Sequence, residues 1–283
     1  MSRTEYNRPC YNNGVGGFDL AYHYEMVSDQ ERVSRIKDAL DTILTPNMTF
    51  CELGCGTGIF SLYAAKTVEK VYAVEYDRNT AAFAEKNFCK SSLKKKITLF
   101  NEDATKVILP EKVDVIFAEM LSTALIHEPQ VPVINHMRQF LKPGGFIIPG
   151  RITNIAELVN VDFSFEDIDI RTYFYEFSNI KKPRILTTSE EYYTADFYKE
   201  VPMDIIKSVT LKAITGGRAN AVRLTSLVHL AGHVNFFSTD SLMPPIVIPL
   251  DEDIFVSRGE SFILDLAYRH RTDLNQVLAK IRR

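Results

Sequence analysis

The stretch Phe50-Cys51-Glu52-Leu53-Gly54-Cys55-Gly56-Thr57-Gly58 restricts this chain more than any other. It reads as a short buried strand, a glycine-packed turn and the start of a helix over 59–67. Glycines at alternate positions remove the Cβ atoms that would hold a ligand off the backbone. The first N–H groups of the helix then face whatever occupies the turn. Glu52 precedes the turn, and Glu75 ends the next apolar strand, Val71-Tyr72-Ala73-Val74-Glu75. Carboxylates so placed suit ribose hydroxyls and an ammonium group better than a string of phosphates, which points to S-adenosylmethionine, released as S-adenosylhomocysteine. A dinucleotide fold also carries an acid about 20 positions after its first glycine. Its turn, however, needs G-x-G-x-x-G, and here the third slot of that pattern is Ile59, with the extra glycine one residue early at Gly58.

Strands and helices alternate from the turn to about residue 150. Strands are predicted near 49–53, 71–75, 97–100, 113–118 and 145–149, and helices near 59–67, 79–90 and 131–141. An earlier helix begins at Ser28, with Glu31 three residues on as a capping box, and Val33, Ile36, Leu40, Ile43 and Leu44 repeat at helical spacing. This alternation predicts a Rossmann-like α/β domain over 28–150, its ligand at the C-terminal ends of parallel strands. After Pro149-Gly150 the texture changes. Val222 to Leu230 and Phe262 to Arg269 alternate as half-buried strands do, and Gly216-Gly217 and Pro244-Pro245 break the chain between elements. Residues 151–283 therefore form a mostly antiparallel β-barrel or sandwich, less regular over 163–200. Residues 1–27 read as a flexible leader able to order over a bound ligand.

A chain of 283 residues can bury a core in each of two such units. A formal charge of −3 argues against nucleic acid as the main partner. The four cysteines, Cys10, Cys51, Cys55 and Cys89, form no metal pattern, and neither an apolar leader nor a run of ~20 apolar residues is present. The expectation is a cytoplasmic protein without a metal and without a membrane partner.

The strand Val113 to Ala118 runs directly into Glu119, where catalytic groups collect in such sheets. Glu128 follows nine residues later, and a hairpin would return it beside Glu119. Two carboxylates held together need a cation between them, and the planar fork of a guanidinium can be gripped by both. Spacing alone equally allows Glu128 to cap or decorate a helix.

From Tyr22 to about Arg151 the chain resembles the protein arginine methyltransferases. The resemblance rests on Tyr22-His23-Tyr24-Glu25-Met26-Val27-Ser28-Asp29-Gln30-Glu31-Arg32, on the glycine motif, on Glu75, on Asp103-Ala104-Thr105, on the Glu119–Glu128 spacing and on Leu141-Lys142-Pro143-Gly144-Gly145. It implies that Met26 packs on the cofactor, that Arg32 grips its carboxylate, and that Glu52, Gly54, Cys55, Gly56 and Gly58 line its turn. Glu75 takes the ribose, Asp103, Ala104 and Thr105 lie at the adenine, Glu119 touches the cofactor, and Glu119 and Glu128 are the catalytic pair. It also implies a barrel bearing a helical arm that makes a head-to-tail homodimer, and a protein or peptide arginine as acceptor.

The departures are specific. The family sets a Thr-His-Trp motif against the glutamate hairpin, yet this chain has no tryptophan and carries Ser241-Leu242-Met243 at that position. His233, nearby in sequence, reads as a core or surface histidine. Met120-Leu121-Ser122 lacks the glycine and tryptophan expected after the first glutamate. The N-terminal aromatic motif is reduced to Phe18 and Tyr22, and the candidate arm, 163–184, is short. A small-molecule acceptor, or a non-catalytic cofactor-binding scaffold, stands beside the arginine reading.

Overall fold

The computed structural model describes residues 20–237 and 243–283. Cys10, Phe18, the side chain of Tyr22, Ser241, Leu242 and the leader up to residue 19 lie outside the described part. Residues 20–27, assigned by sequence to the leader, belong to helix α1 (Leu20–Ser28), which is followed by α2 (Gln30–Ile43). The cap of α2 is Asp29, one residue after the Ser28 expected. Its carboxylate accepts the Arg32 N–H at 3.0 Å, while Ser28 Oγ turns back to donate to the Tyr24 carbonyl.

Five strands then alternate with helices: β1 (Thr49–Leu53), α3 (Ile59–Ala64), β2 (Lys70–Val74), α4 (Arg78–Lys90), β3 (Ile97–Phe100), β4 (Val113–Ala118), α5 (Gln130–Met137) and β5 (Leu141–Ile148). They form one all-parallel sheet in the order β3-β2-β1-β4-β5. All five residues of β1 are buried, as a central strand covered on both faces requires. The order reverses between β1 and β4, so the loops leaving these two strands open a crevice at their C-terminal ends.

The second half is antiparallel. It comprises β6 (Arg151–Asn160), β7 (Ser164–Phe165), β8 (Ile168–Asp169), β9 (Phe174–Tyr175), β10 (Arg184–Ile185), β11 (Glu190–Asp196), β12 (Asp204–Lys212), β13 (Gly217–Ala231), β14 (Val234–Phe237), β15 (Ile246–Val256), β16 (Ser261–Arg269) and β17 (Leu278–Arg282). One sheet runs β10-β6-β13-β15-β9, with β11 on β6 and β14 on β13, and another runs β12-β16-β17. Ala156, Leu158, Val222, Leu224, Ile246 and Leu264 meet between them in a dry core. The helical arm implied by resemblance is absent: residues 164–185 make the β7–β8 hairpin and two short strands. Val159, Ala221, Val247, Phe163 and Phe174 close this segment onto the outer face of the barrel, where a half-buried Arg223 pairs with buried Glu157 and Glu176. The two halves share apolar contacts, since α2 packs on β13 and β14.

Candidate active site

The loop leaving β1 carries the glycine turn. Gly56 sits at φ +54, and a Cβ there would fall 2.8 Å from the His23 ring of α1, so only glycine lets helix and turn close together. The Gly56 N–H donates to Glu75 Oε2 at 2.9 Å, and the Asp77 N–H donates to Glu75 Oε1 at 2.9 Å. Both carboxylate oxygens are thereby fixed while each retains a lone pair. Burial raises the Glu75 pKa, and these two backbone bonds hold it back. Asn101 Nδ2 donates to the Glu75 and Tyr76 carbonyls and ties the β2 and β3 loops together. Asp103 Oδ1 accepts from the Thr105 N–H and hydroxyl at 2.9 and 2.7 Å. Burial pushes its carboxyl up, but these bonds together with the charges of Lys106 and Arg271 make the net shift downward.

His23, Gly56, Glu75, Asp77, Asp103 and Thr105 line one cavity of about 400 Å³ that also takes Met26, Arg32, Glu52, Gly54, Cys55, Ala104, Glu119 and Glu128. Of the residues named from sequence, only Gly58 is not in its wall. Gly58 caps α3 at φ +85, and a Cβ there would sit 2.3 Å from the Phe88 ring of α4. Helix packing by itself requires a glycine there. Glu52 is buried and accepts a short hydrogen bond from the Ser61 hydroxyl. Burial pushes its carboxyl up to about 8, against that bond. The Arg32 guanidinium donates to the Met26 carbonyl at 2.7 Å and forms a buried ion pair with Glu119.

Glu119 and Glu128 stand at the two ends of a single loop. Gln130, fully buried, braces the first end: its Nε2 donates to the Ala118 carbonyl at 2.9 Å and its Oε1 accepts the Met120 N–H at 3.0 Å. Ser122 Oγ accepts the His127 and Glu128 N–H groups at the other end. Between them Ala124 and Leu125 both adopt φ +58, and Ala124 and Ile126 insert into the barrel core. The Ala124 N–H donates to Ser226 Oγ, and the Thr123 hydroxyl to the Pro244 carbonyl. The middle of the loop is thus anchored in the barrel while both carboxylates face the cavity. Burial pushes Glu128 up to about 8.

His233 lies exposed in the β13–β14 turn and Met243 is buried; neither lines the cavity. Residues unannounced by sequence do: His23, Phe60, Asp77, Val133 and Arg271. Asp77 could have been found as the helix cap two residues after Glu75. Nothing local marks Arg271.

The site fits an adenosyl sulfonium: a glycine turn with no room for side chains, a fixed carboxylate for vicinal hydroxyls, and acids around the remainder. A methyltransferase-domain family model matches residues 50–145. An uncharacterised protein of Methanocaldococcus jannaschii is 32% identical over 265 residues, covering 90% of this chain and 95% of that protein. Protein arginine N-methyltransferase 2 of Dictyostelium discoideum is 30% identical over 165 residues, 57% of this chain but 31% of the longer relative. In structure, a chain of the Trypanosoma brucei PRMT1 enzyme–prozyme heterotetrameric complex with AdoHcy superposes with a TM-score of 0.77 over 93% of this chain and 97% of that one, at 19% identity. That likeness concerns the fold: a parallel Rossmann-like sheet followed by an antiparallel β domain.

Proposed function

We propose, from the premise that this chain belongs to a family of class I methyltransferases related to the protein arginine methyltransferases, that it methylates the guanidinium of a protein-borne arginine. The observation that carries this reading is the placement of Glu119 and Glu128 at opposite ends of one loop, on the same cavity as the glycine turn. S-adenosylmethionine, when bound, supplies a methyl group on a sulfonium: its carbon–sulfur bond breaks as the nitrogen–carbon bond forms, and the nitrogen sheds a proton to water. Glu75 would hold the ribose hydroxyls, and the turn at 54–56 would lie against the nucleoside. The loop acids Glu119 and Glu128 would orient the guanidinium and concentrate its positive charge on the nitrogens away from the reaction. Orientation and charge placement are the main service a protein offers to a direct displacement.

The unit up to residue 150 would bind the cofactor, and residues 151–283 would form the acceptor side. A homodimer belongs to the same reading, supported by the exposed apolar side chains Phe165, Ile168 and Ile170 on and beside the β7–β8 hairpin. Sedimentation as a dimer at micromolar concentration is the expected result. A second reading, a small-molecule acceptor, is favoured by the lack of any tryptophan to stand against the glutamate loop. The test is transfer of labelled methyl from S-adenosylmethionine in cell extract. Label on protein arginine supports the first reading and label on small molecules the second, while no release of S-adenosylhomocysteine refutes both.

A further inference from the structure

Every described residue lining the cavity comes from the segment 23–133, with one exception. Arg271, in the turn after β16, is the sole described contribution of the barrel. Its backbone lies at φ +65, a conformation natural to glycine and uncommon for arginine. Main-chain bonds hold it there. The Arg271 and Thr272 N–H groups both donate to the Ile126 carbonyl, at 2.6 and 3.0 Å, and the His270 ring nitrogen meets the Leu125 carbonyl at 2.8 Å. Leu125 and Ile126 belong to the loop that carries Glu119 and Glu128. The arginine is therefore in register with the carboxylate pair, although it lies more than 140 residues away in sequence.

Its guanidinium is exposed and makes no hydrogen bond or ion pair with the described residues. It is close enough to Asp103, across the cavity, to help lower that carboxyl. A wall that already offers Glu119 and Glu128 to a cation has no need of a second cation, and Arg271 repels an acceptor whose only charge is positive. It attracts one that carries a carboxylate as well, since the guanidinium fork matches that group with two parallel hydrogen bonds.

We propose that Arg271 is the acceptor-selecting residue of this site, receiving a carboxylate that the methyl acceptor carries close to its cationic nitrogen. The enzyme then prefers zwitterionic acceptors to purely cationic ones. This rests on the methyl-transfer reading above.

The test uses the full chain saturated with S-adenosylhomocysteine and two pairs of probes, titrated calorimetrically. One pair is free arginine against agmatine, the same cation without the carboxylate. The other is a short arginine peptide with aspartate, or with lysine, beside the arginine. At least one pair should show about a tenfold preference for the carboxylate-bearing member, the size of one charge-assisted contact. The pair that shows it identifies the carboxylate's source. Arg271→Gly suits the backbone conformation, so its melting temperature should be no lower than the parent's while the preference collapses to within about twofold. Arg271→Lys, a charge without the fork, should keep part of it. A parent with no preference in either pair, or a preference that survives in Arg271→Gly, overturns the proposal and leaves methyl transfer standing. A parent that binds no S-adenosylhomocysteine overturns both, and that titration, made without acceptor, tells the two failures apart.

Discussion

Arg32 on α2 and Glu119 at the end of β4 form an ion pair almost closed to water, their side chains 7% and 6% exposed. This pair fastens the N-terminal helices to the strand end that presents the first loop carboxylate. Two charges this deeply buried offset each other's desolvation, and deleting one strands the other at a cost of about 3–5 kcal/mol. Glu119→Gln and Arg32→Ala should each lower the melting temperature by several degrees. The double variant should be less destabilised than the two losses added, with a coupling of about 1–3 kcal/mol. Strict additivity in denaturant titrations would refute the pairing. The same pair gives Arg32 an occupation that sequence did not suggest: a cofactor carboxylate bound at Arg32 would share it with Glu119.

Glu128 carries a pH signature. Its folded-state carboxyl is raised from the ordinary 4.5 to about 8 by burial. Between those values the native state holds a proton that the unfolded chain has released, so stability falls as pH rises through this window. Glu128→Gln removes the ionisable group and should melt higher than the parent, with the gap widening from about pH 4.5 to about pH 8 and reaching on the order of 5 kcal/mol. Methyl transfer in the parent should climb over the upper part of the same window, because a cationic acceptor needs the ionised form. In Glu128→Gln it should be lost at every pH. A variant more stable than the parent yet inactive separates this group from structural residues.

The parallel-sheet half was legible from sequence because its signals are local. Strand periodicity placed β1 to β4 within a residue, and the glycine turn with its downstream acid located the cavity wall. The cap of α2 was misread by one residue because Ser28 and Asp29 compete for it and the aspartate wins. A turn glycine required by Phe88, as at Gly58, looks the same in sequence as one required by a nucleoside. The helical arm failed for a different reason: the expectation came from resemblance alone. Gln130 and Arg271 were invisible. Their roles arise from contacts with Ala118, Met120 and Ile126, which only the folded chain brings together.

Gly58 provides a purely structural test. With φ at +85 and the Phe88 ring 2.3 Å from a would-be Cβ, Gly58→Ala carries both backbone strain and overpacking. Each is worth about 1–3 kcal/mol. Phe88→Leu in the same chain should recover the packing part and not the strain. Urea titration of the three variants checks this. A neutral Gly58→Ala would mean that α3 and α4 are spaced more widely than described.

Gln130 should matter to catalysis without touching any substrate. It brackets Glu119, holding the Ala118 carbonyl on one side and the Met120 N–H on the other. Gln130→Leu keeps the volume and abandons both partners in a dry place, at about 1–3 kcal/mol for each buried group left unpaired. Glu119 would lose its frame, so turnover should fall at least about tenfold, with cofactor affinity moving much less. Gln130→Glu supplies the sharper readout. Protonated, the new carboxyl can donate to Ala118 O and accept from Met120 N, as the amide does. Ionised, it can only accept, and it then faces the Ala118 carbonyl in repulsion. Its activity and melting temperature should approach the parent's at low pH and drop as the buried acid ionises, whereas Gln130→Leu stays impaired throughout. Matching pH profiles for the two variants would remove Gln130 from its bracing role.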